Sequence, residues 1–209
     1  MKEARPSRRT LLGVAGALLG TGLGAWHKSA GLPAPSKLRP PGAGMEGDFL
    51  SACIRCGLCI QVCPHDSLIS SGPDSWLSLG TPHLLAREIP CKLCQGEESD
   101  ALKCIEVCPT DALKSVEWWD EVRMGVAIID RDICFAFNGT TCRACWHACP
   151  LPGQAIKLNA WMRPVVDAEY CLGCGMCTHA CLTGKTSIPI IPMQDFKPGD
   201  PTHIGEGTA

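Results

Sequence analysis

The chain has 209 residues, of which 16 are cysteine, 22 glycine and 17 proline, while aromatic residues make up only 5%. With 45% hydrophobic residues and a net charge of −2, it has the composition of neither a disordered chain nor a basic nucleic-acid-binding protein. So many cysteines, glycines and prolines predict a loop-rich body held together by disulfides, zinc or iron–sulfur clusters rather than by a large core.

The N-terminal segment, residues 1–30, has the form of an export signal. Arg8 and Arg9 stand directly before an apolar, glycine-rich run that extends from Leu11 to Trp26. A basic segment followed by a short apolar run is typical of signal peptides, and the arginine pair resembles the twin-arginine type. We therefore expect recognition by the twin-arginine translocase and a location in the periplasm. A cleaved signal would release the protein there, whereas an uncleaved signal would keep it at the cytoplasmic membrane.

Two proline-containing segments flank the predicted folded domain. Residues 31–48 contain four prolines, which oppose regular helix, so we expect a linker there. The tail, residues 193–209, is expected to be irregular for the same reason. The residues between them, 49–192, are predicted to form the four-cluster, ferredoxin-like domain that the cysteine pattern described next indicates.

All cysteines of the chain fall into four quartets. The first and fourth quartets are compact, with two residues between successive members of their first three cysteines, whereas the second and third carry spacers of nine and seven residues. Each quartet ends in two cysteines separated by three residues, and a proline follows the last cysteine in every quartet except the fourth. In chain order the quartets are Cys53, Cys56, Cys59 and Cys63; Cys91, Cys94, Cys104 and Cys108; Cys134, Cys142, Cys145 and Cys149; and Cys171, Cys174, Cys177 and Cys181.

The compact spacing matches the bacterial ferredoxin run that binds 4Fe–4S clusters. Three thiolates on one tight loop reach three irons of a cubane, and the fourth points toward a second cluster, which is why such runs occur in pairs. Disulfides are the usual use of an even cysteine count in exported proteins, and zinc also uses paired cysteines. Neither explains a cysteine triple followed by a Cys-Pro. We therefore predict four 4Fe–4S clusters, with all sixteen cysteines as ligands.

The sequence around the quartets repeats as well. Apolar, β-like runs at residues 126–130 and 164–167 precede Cys134 and Cys171, and a short apolar segment follows each quartet. The third cysteine of each quartet is expected to begin a short helical turn. The predicted fold class is therefore α+β, with two bacterial-ferredoxin-like two-cluster modules, loop-rich, with short antiparallel strands and short helices.

Two ways of pairing the quartets satisfy this pattern. The likeness of the two compact quartets favours nested pairing. In this arrangement the first and fourth quartets exchange their last cysteines, and so do the second and third quartets. Cys181 would then complete the first cluster, Cys63 the fourth, Cys149 the second and Cys108 the third. Sequential pairing, first with second and third with fourth, is the alternative. The full ligand set is the same in both.

From Arg8 to about Pro192 the chain resembles the NapG/MauM family of periplasmic ferredoxin-type proteins. The resemblance rests on the cysteine spacing and on further strings that narrow it beyond other four-cluster electron-transfer subunits. These strings are Leu38–Ala43, Gly80–Pro82 followed by Arg87–Cys91, and Arg123–Ala127. The absent proline after Cys181 departs from the usual run without removing a ligand.

The resemblance implies an electron-transfer subunit. A NapG-like protein passes electrons from a membrane quinol-oxidising partner, NapH-like, to a periplasmic redox protein of a nitrate reductase-like system, as a component of a quinol dehydrogenase complex. A MauM-like protein would serve methylamine utilisation instead. The sequence shows no evident nucleophile with its base and no strongly basic face, so we expect no independent enzyme and no nucleic-acid partner. A maturation or docking factor with structural clusters is the alternative from another class.

Overall fold

The computed structural model describes residues 36–73, 76–97 and 101–198. The predicted signal peptide and most of the predicted tail lie outside these ranges. The described residues, from Ser36 onward, belong to one compact unit. Within them, no helix combines the length and the apolar character needed to cross a lipid bilayer.

The short helices of the described ranges are built around the quartets. Helix α1 (Glu46–Ala52) leads into the first quartet. The third cysteine of every quartet occupies the second position of a helix of one turn, which confirms the predicted helical turns. These helices are α2 (Leu58–Gln61), α3 (Lys103–Glu106), α4 (Ala144–Ala148) and α5 (Met176–His179).

The described strands have three residues each and form three antiparallel pairs, so the small α+β class is confirmed. The strands are β1 (Leu68–Ser70), β2 (Pro82–Leu84), β3 (Gly125–Ala127), β4 (Ile156–Leu158), β5 (Pro164–Val166) and β6 (Ile190–Pro192). Strand β1 pairs with β2, β3 with β6, and β4 with β5. The runs predicted before Cys134 and Cys171 thus supply β3 and β5.

The same topology occurs in the N-terminal half (residues 36–122) and the C-terminal half (residues 123–198). In each half an inner pair lies between the two quartets, β1 with β2 and β4 with β5. An outer link joins the segment before the first of these quartets to the segment after the second. That link is a single antiparallel bridge between Ala43 and Leu113 in the N-terminal half and the β3–β6 pair in the C-terminal half.

A proline closes each strand pair at one end. Pro82 lies opposite Ser70, and Pro164 lies opposite Leu158. Pro192 likewise faces a partner at the end of the third pair. Because proline has no N–H to donate, it is tolerated at the end of a strand but not within a central one. No strand was predicted at β2, because Gly80, Thr81 and Pro82 form no apolar run at its start.

The segment predicted as a linker differs from that expectation over the residues described. Leu38 and Arg39 are buried, and the carbonyl of Leu38 accepts a hydrogen bond from the backbone N–H of Leu84 at 2.9 Å. The Arg39 guanidinium forms an ion pair with Glu46 and donates to Thr81 Oγ1 at 2.9 Å. Its prolines oppose helix only up to Pro41, and helix α1 begins inside the predicted linker at Glu46. The extended chain before α1 packs along strand β2, so this segment is part of the folded body.

The core consists of two hydrophobic clusters in which cysteines are members. Phe49 and Leu84 belong to the larger cluster, which also includes Leu172 from the C-terminal half. Val126 and Ile156 anchor the smaller one, and both are only 1% exposed. Because the thiols pack among these side chains, whatever they bind replaces part of an ordinary apolar core.

Candidate iron–sulfur centres

In the N-terminal half the thiols form two groups. Each group consists of the first three cysteines of one quartet and the last cysteine of the other quartet. The Cys59 thiol interacts electrostatically with those of Cys53 and Cys56 from its own quartet and with Cys108. Those of Cys91 and Cys104 interact with Cys63. Group A is Cys53, Cys56, Cys59 and Cys108. Group B is Cys91, Cys94, Cys104 and Cys63.

The C-terminal half repeats this exchange. The Cys174 thiol interacts with those of Cys171 and Cys149, and these three line one cavity together with Cys177. A second cavity is lined by the first three cysteines of the third quartet and by Cys181. Group C is Cys171, Cys174, Cys177 and Cys149. Group D is Cys134, Cys142, Cys145 and Cys181.

The nested pairing favoured by the sequence is therefore wrong, and the structure has the sequential arrangement. The physical reason lies in the inner strand pairs. Strands β1 and β2 both lie between the first and second quartets, and their pairing brings these quartets together, while β4 and β5 do the same for the third and fourth. Neighbouring elements usually pair in space. The likeness of two motifs imposes no such constraint.

The four groups follow one another in the order A, B, C, D. The thiol of Cys104 in group B interacts with that of Cys59 in group A. Cys91 of group B interacts with Cys174 of group C. Cys177 of group C interacts in turn with Cys145 of group D. Each group thus has a thiol within electrostatic reach of the next.

The junction between groups B and C is made by backbone contacts between the two halves. The Cys91 N–H donates to the carbonyl of Cys174 at 2.9 Å. Gly175 packs so closely against Ala86 that an added Cβ would stand 2.4 Å from the Ala86 Cβ. Little space is therefore left between the halves at this junction.

The thiol arrangement fits a cubane better than a single zinc ion. All sixteen cysteines are free thiols in the structure. Among the described residues, which include every cysteine, no three His, Cys, Asp or Glu side chains are placed to hold one metal ion. Zinc–sulfur bonds of about 2.3 Å keep the sulfurs of a zinc site within about 4 Å of one another. A cubane binds each thiolate on a different iron and so accepts a wider spacing.

Burial also makes these thiols dependent on a bound cation. Burial raises the pKa of the Cys59 thiol to about 11, and neighbouring thiols act in the same direction. Burial likewise raises the pKa of Cys145 and of Cys174 to about 12. Such thiols are neutral at pH 7, and they become thiolates only where metal charge compensates the lost solvation. The donor set therefore suits an iron–sulfur cluster.

Cys181 differs from the other shifted thiols. Burial opposes its ionisation, but hydrogen bonds from Ser187 and Thr183 outweigh that effect and lower its pKa to about 7. The Thr183 Oγ1 lies 3.0 Å from the Cys181 Sγ, and the Ser187 Oγ lies 3.3 Å from it. Sequence reasoning did not single out either hydroxyl. The sequence feature that could have indicated this contact is the position of Thr183, two residues after the last cysteine of the quartet.

Glycines in the cysteine loops adopt the left-handed backbone conformation. Gly57 and Gly175 occupy equivalent positions before α2 and α5, with φ of 75° and 84°. Gly173 has φ of 71°, and a Cβ there would lie 2.2 Å from the backbone nitrogen of Gly125. Glycine is needed at these positions because L side chains are strained at such φ values.

Arg87 fastens the end of the fourth quartet to the N-terminal half. Its Nη1 donates to the carbonyls of Thr178 at 2.7 Å and Cys181 at 2.8 Å, and its Nη2 donates to that of Thr183 at 3.1 Å. His179 Nδ1 lies 3.0 Å from the Arg87 carbonyl and completes the contact. One side chain therefore holds three carbonyls around the last ligand of group D.

We expect Arg87→Ala to destabilise the cluster-loaded protein by about 1–3 kcal/mol, because it removes charge-assisted hydrogen bonds at a partly exposed site. Arg87→Lys keeps the charge but not the planar fork, so it should fall between Ala and the unsubstituted protein. The temperature at which cluster absorbance is lost on heating measures the effect. An Arg87→Ala protein as heat-stable as the parent would contradict this role.

Comparison with known proteins agrees with this chemistry. Two models described as 4Fe-4S binding domains match residues 49–69 and 168–184, which contain the two compact quartets. The NapG ferredoxin-type protein of Escherichia coli is 38% identical over 189 residues, covering 85% of this chain and 79% of that protein. The methylamine utilization ferredoxin-type protein MauM of Methylorubrum extorquens is 38% identical over 208 residues, covering 92% of each chain.

The chain belongs to the NapG/MauM family of ferredoxin-type proteins. A third relative, the NapG protein of Haemophilus influenzae, is 35% identical over 206 residues, covering 92% of this chain and 70% of that protein. Iron–sulfur chemistry of the 4Fe–4S type and the character of a ferredoxin-type electron carrier follow from this membership. NapG and MauM proteins are equally similar to the chain, so membership does not select between them.

Proposed function

We propose that this protein carries electrons through four 4Fe–4S clusters, one held by each of groups A to D. Each cluster, when bound, supplies reversible one-electron storage. The single observation that carries the proposal is the continuous order A, B, C, D, in which a thiol of every group lies within electrostatic reach of the next. A protein that used its clusters only to hold its fold would not need them in one series.

The exposure of the thiols supports a conducting path with an accessible end at group A. Cys56 of group A is exposed, whereas three members of the internal group C are buried. These three are Cys171, Cys174 and Cys177. A partner that docks at group A can therefore approach a ligand directly, while the surrounding core excludes water from group C. Electron exchange with other proteins is expected at the outer groups and passage between the halves at B and C.

We further propose that the protein works in the periplasm after export by the twin-arginine translocase, on the basis of Arg8 and Arg9. Its donor would be a membrane quinol-oxidising protein of the NapH type and its acceptor a periplasmic redox protein of a nitrate reductase-like system. A MauM-like role in methylamine utilisation has equal support, because the MauM relative of Methylorubrum extorquens is also 38% identical. We expect no substrate conversion by the chain itself.

The test is electron transfer by the full chain, purified without oxygen. Dithionite should bleach the cluster absorbance, with about four electrons taken up per chain, and an added oxidant should restore it. Quinol should reduce the protein only when the membrane partner is present. Reoxidation by acceptors from nitrate reduction or from methylamine oxidation would select between the two pathways. Clusters that are present but neither reducible nor able to exchange electrons would favour a maturation or docking factor.

A further inference from the structure

Two buried hydroxyls converge on one ligand sulfur at the end of the series of groups. Thr183 Oγ1 and Ser187 Oγ lie 3.0 and 3.3 Å from Cys181 Sγ, and the two residues are 6% and 3% exposed. A thiolate ligand has no proton, so in the loaded protein both hydroxyls donate to the sulfur.

The backbone holds both donors in place and leaves their protons available to the sulfur. Thr183 Oγ1 accepts the backbone N–H of Ser187 at 3.2 Å. The carbonyl of Thr183 accepts from Arg87 at 3.1 Å, and that of Ser187 accepts from the Asp130 N–H at 2.7 Å. With their main chains fixed from both sides, the hydroxyls are positioned before any cluster binds.

The equivalent position in group A offers a matched comparison. Thr110 stands two residues after Cys108, as Thr183 does after Cys181, but its Oγ1 lies 3.7 Å from the sulfur. The Thr110 carbonyl lies closer, at 3.1 Å. The Cys108 thiol is the donor in that contact, so the carbonyl offers no proton to the sulfur. The same residue type at the same spacing therefore makes a longer and weaker contact with the sulfur in group A than in group D.

We propose that Thr183 and Ser187 raise the reduction potential of the cluster in group D, and this rests on the proposed function above. Hydrogen bonds to ligand sulfur withdraw charge from a cluster, and they stabilise the reduced form more because it carries one more electron. The cluster in group D accordingly holds an electron more strongly than it would without the two hydroxyls. Thr183 and Ser187 are positioning residues, since they act through the ligand and bind no substrate.

The test is a redox titration of the full chain, purified without oxygen and monitored by electron paramagnetic resonance. Thr183→Val and Ser187→Ala should each shift one midpoint potential to a more negative value, and the double variant should shift it further, while the other three stay in place. Thr183→Ser keeps the hydroxyl and should restore the parental potential. Thr110→Val, the matched control, should shift a potential far less than Thr183→Val does, because the Thr110 hydroxyl lies 3.7 Å from its sulfur.

The outcomes separate the tuning from the function. If the double variant keeps all its iron and all its midpoint potentials, the tuning role is overturned while electron transfer stands. If Thr183→Val loses a cluster, the comparison is made with Ser187→Ala and Thr183→Ser instead. A parental midpoint potential in Ser187→Ala, together with a shifted midpoint potential in Thr183→Ser, would overturn the proposal. A parent protein without any reducible cluster would overturn the proposed function and this inference with it.

Discussion

Loss of Cys59, loss of Cys108 and loss of both should each remove the same single cluster. The two thiols belong to group A, so the Cys59→Ala, Cys108→Ala and double variants are each expected to lose about four irons per chain, the content of one cubane. The physical reason is that a cubane needs four thiolates, and every cysteine outside group A belongs to another group, so no equivalent replacement ligand is left. Iron analysis and the electron paramagnetic resonance spectrum of the reduced protein measure the result.

A second double variant, compared with the Cys59 and Cys108 double variant, decides how the quartets pair. Cys108→Ala combined with Cys145→Ala alters groups A and D, so it should remove two clusters, or about eight irons. Nested pairing would reverse these results, because it places Cys108 with Cys145 and separates it from Cys59. Loss of two clusters from the Cys59 and Cys108 double variant, with loss of only one from the Cys108 and Cys145 variant, would contradict the sequential arrangement.

Alanine in place of Gly175 should destabilise the protein far more than alanine in place of Gly57, although both glycines precede a cysteine helix. Both have positive φ, 84° and 75°, so each substitution costs about 1–2 kcal/mol in backbone strain. At Gly57 nothing lies within 4 Å of the added Cβ, whereas at Gly175 the Ala86 Cβ lies 2.4 Å away. Overpacking at the junction adds about 1–3 kcal/mol for Gly175→Ala.

Gly173→Ala should be the most damaging of the three substitutions. Its Cβ would meet the backbone of Gly125 at 2.2 Å, and a backbone atom cannot turn aside as a side chain can. Thermal loss of cluster absorbance, compared among the three variants, gives the ranking. Equal stability of Gly57→Ala and Gly175→Ala would mean that the two halves do not pack as closely at this junction as the structure has them.

Local structure around the cysteines was predictable from sequence because short-range chemistry determines it. The helical turns at Cys59 and Cys177 follow from the tight loops before them, where Gly57 and Gly175 supply left-handed backbone. The apolar runs that became β3 and β5 carry β-branched residues, whose stiff side chains favour extended chain.

The features that sequence reasoning missed depend on distant partners. The pairing of quartets is determined by β1 with β2 and β4 with β5, and three-residue strands ending in proline give little signal in sequence. The proline-rich segment was predicted to be a linker because its prolines exclude helix. Its burial depends on Arg39 reaching Thr81, a contact across 42 positions that no local pattern reveals.

The most direct test of the central claim is a count of iron and acid-labile sulfide per chain in the full-length protein, purified without oxygen. Four groups of four thiols predict about sixteen irons and about sixteen sulfides, since each cubane contains four of each. Little iron, with the sixteen cysteines bound to zinc or oxidised to disulfides, would contradict the assignment and leave an exported zinc or disulfide protein in its place.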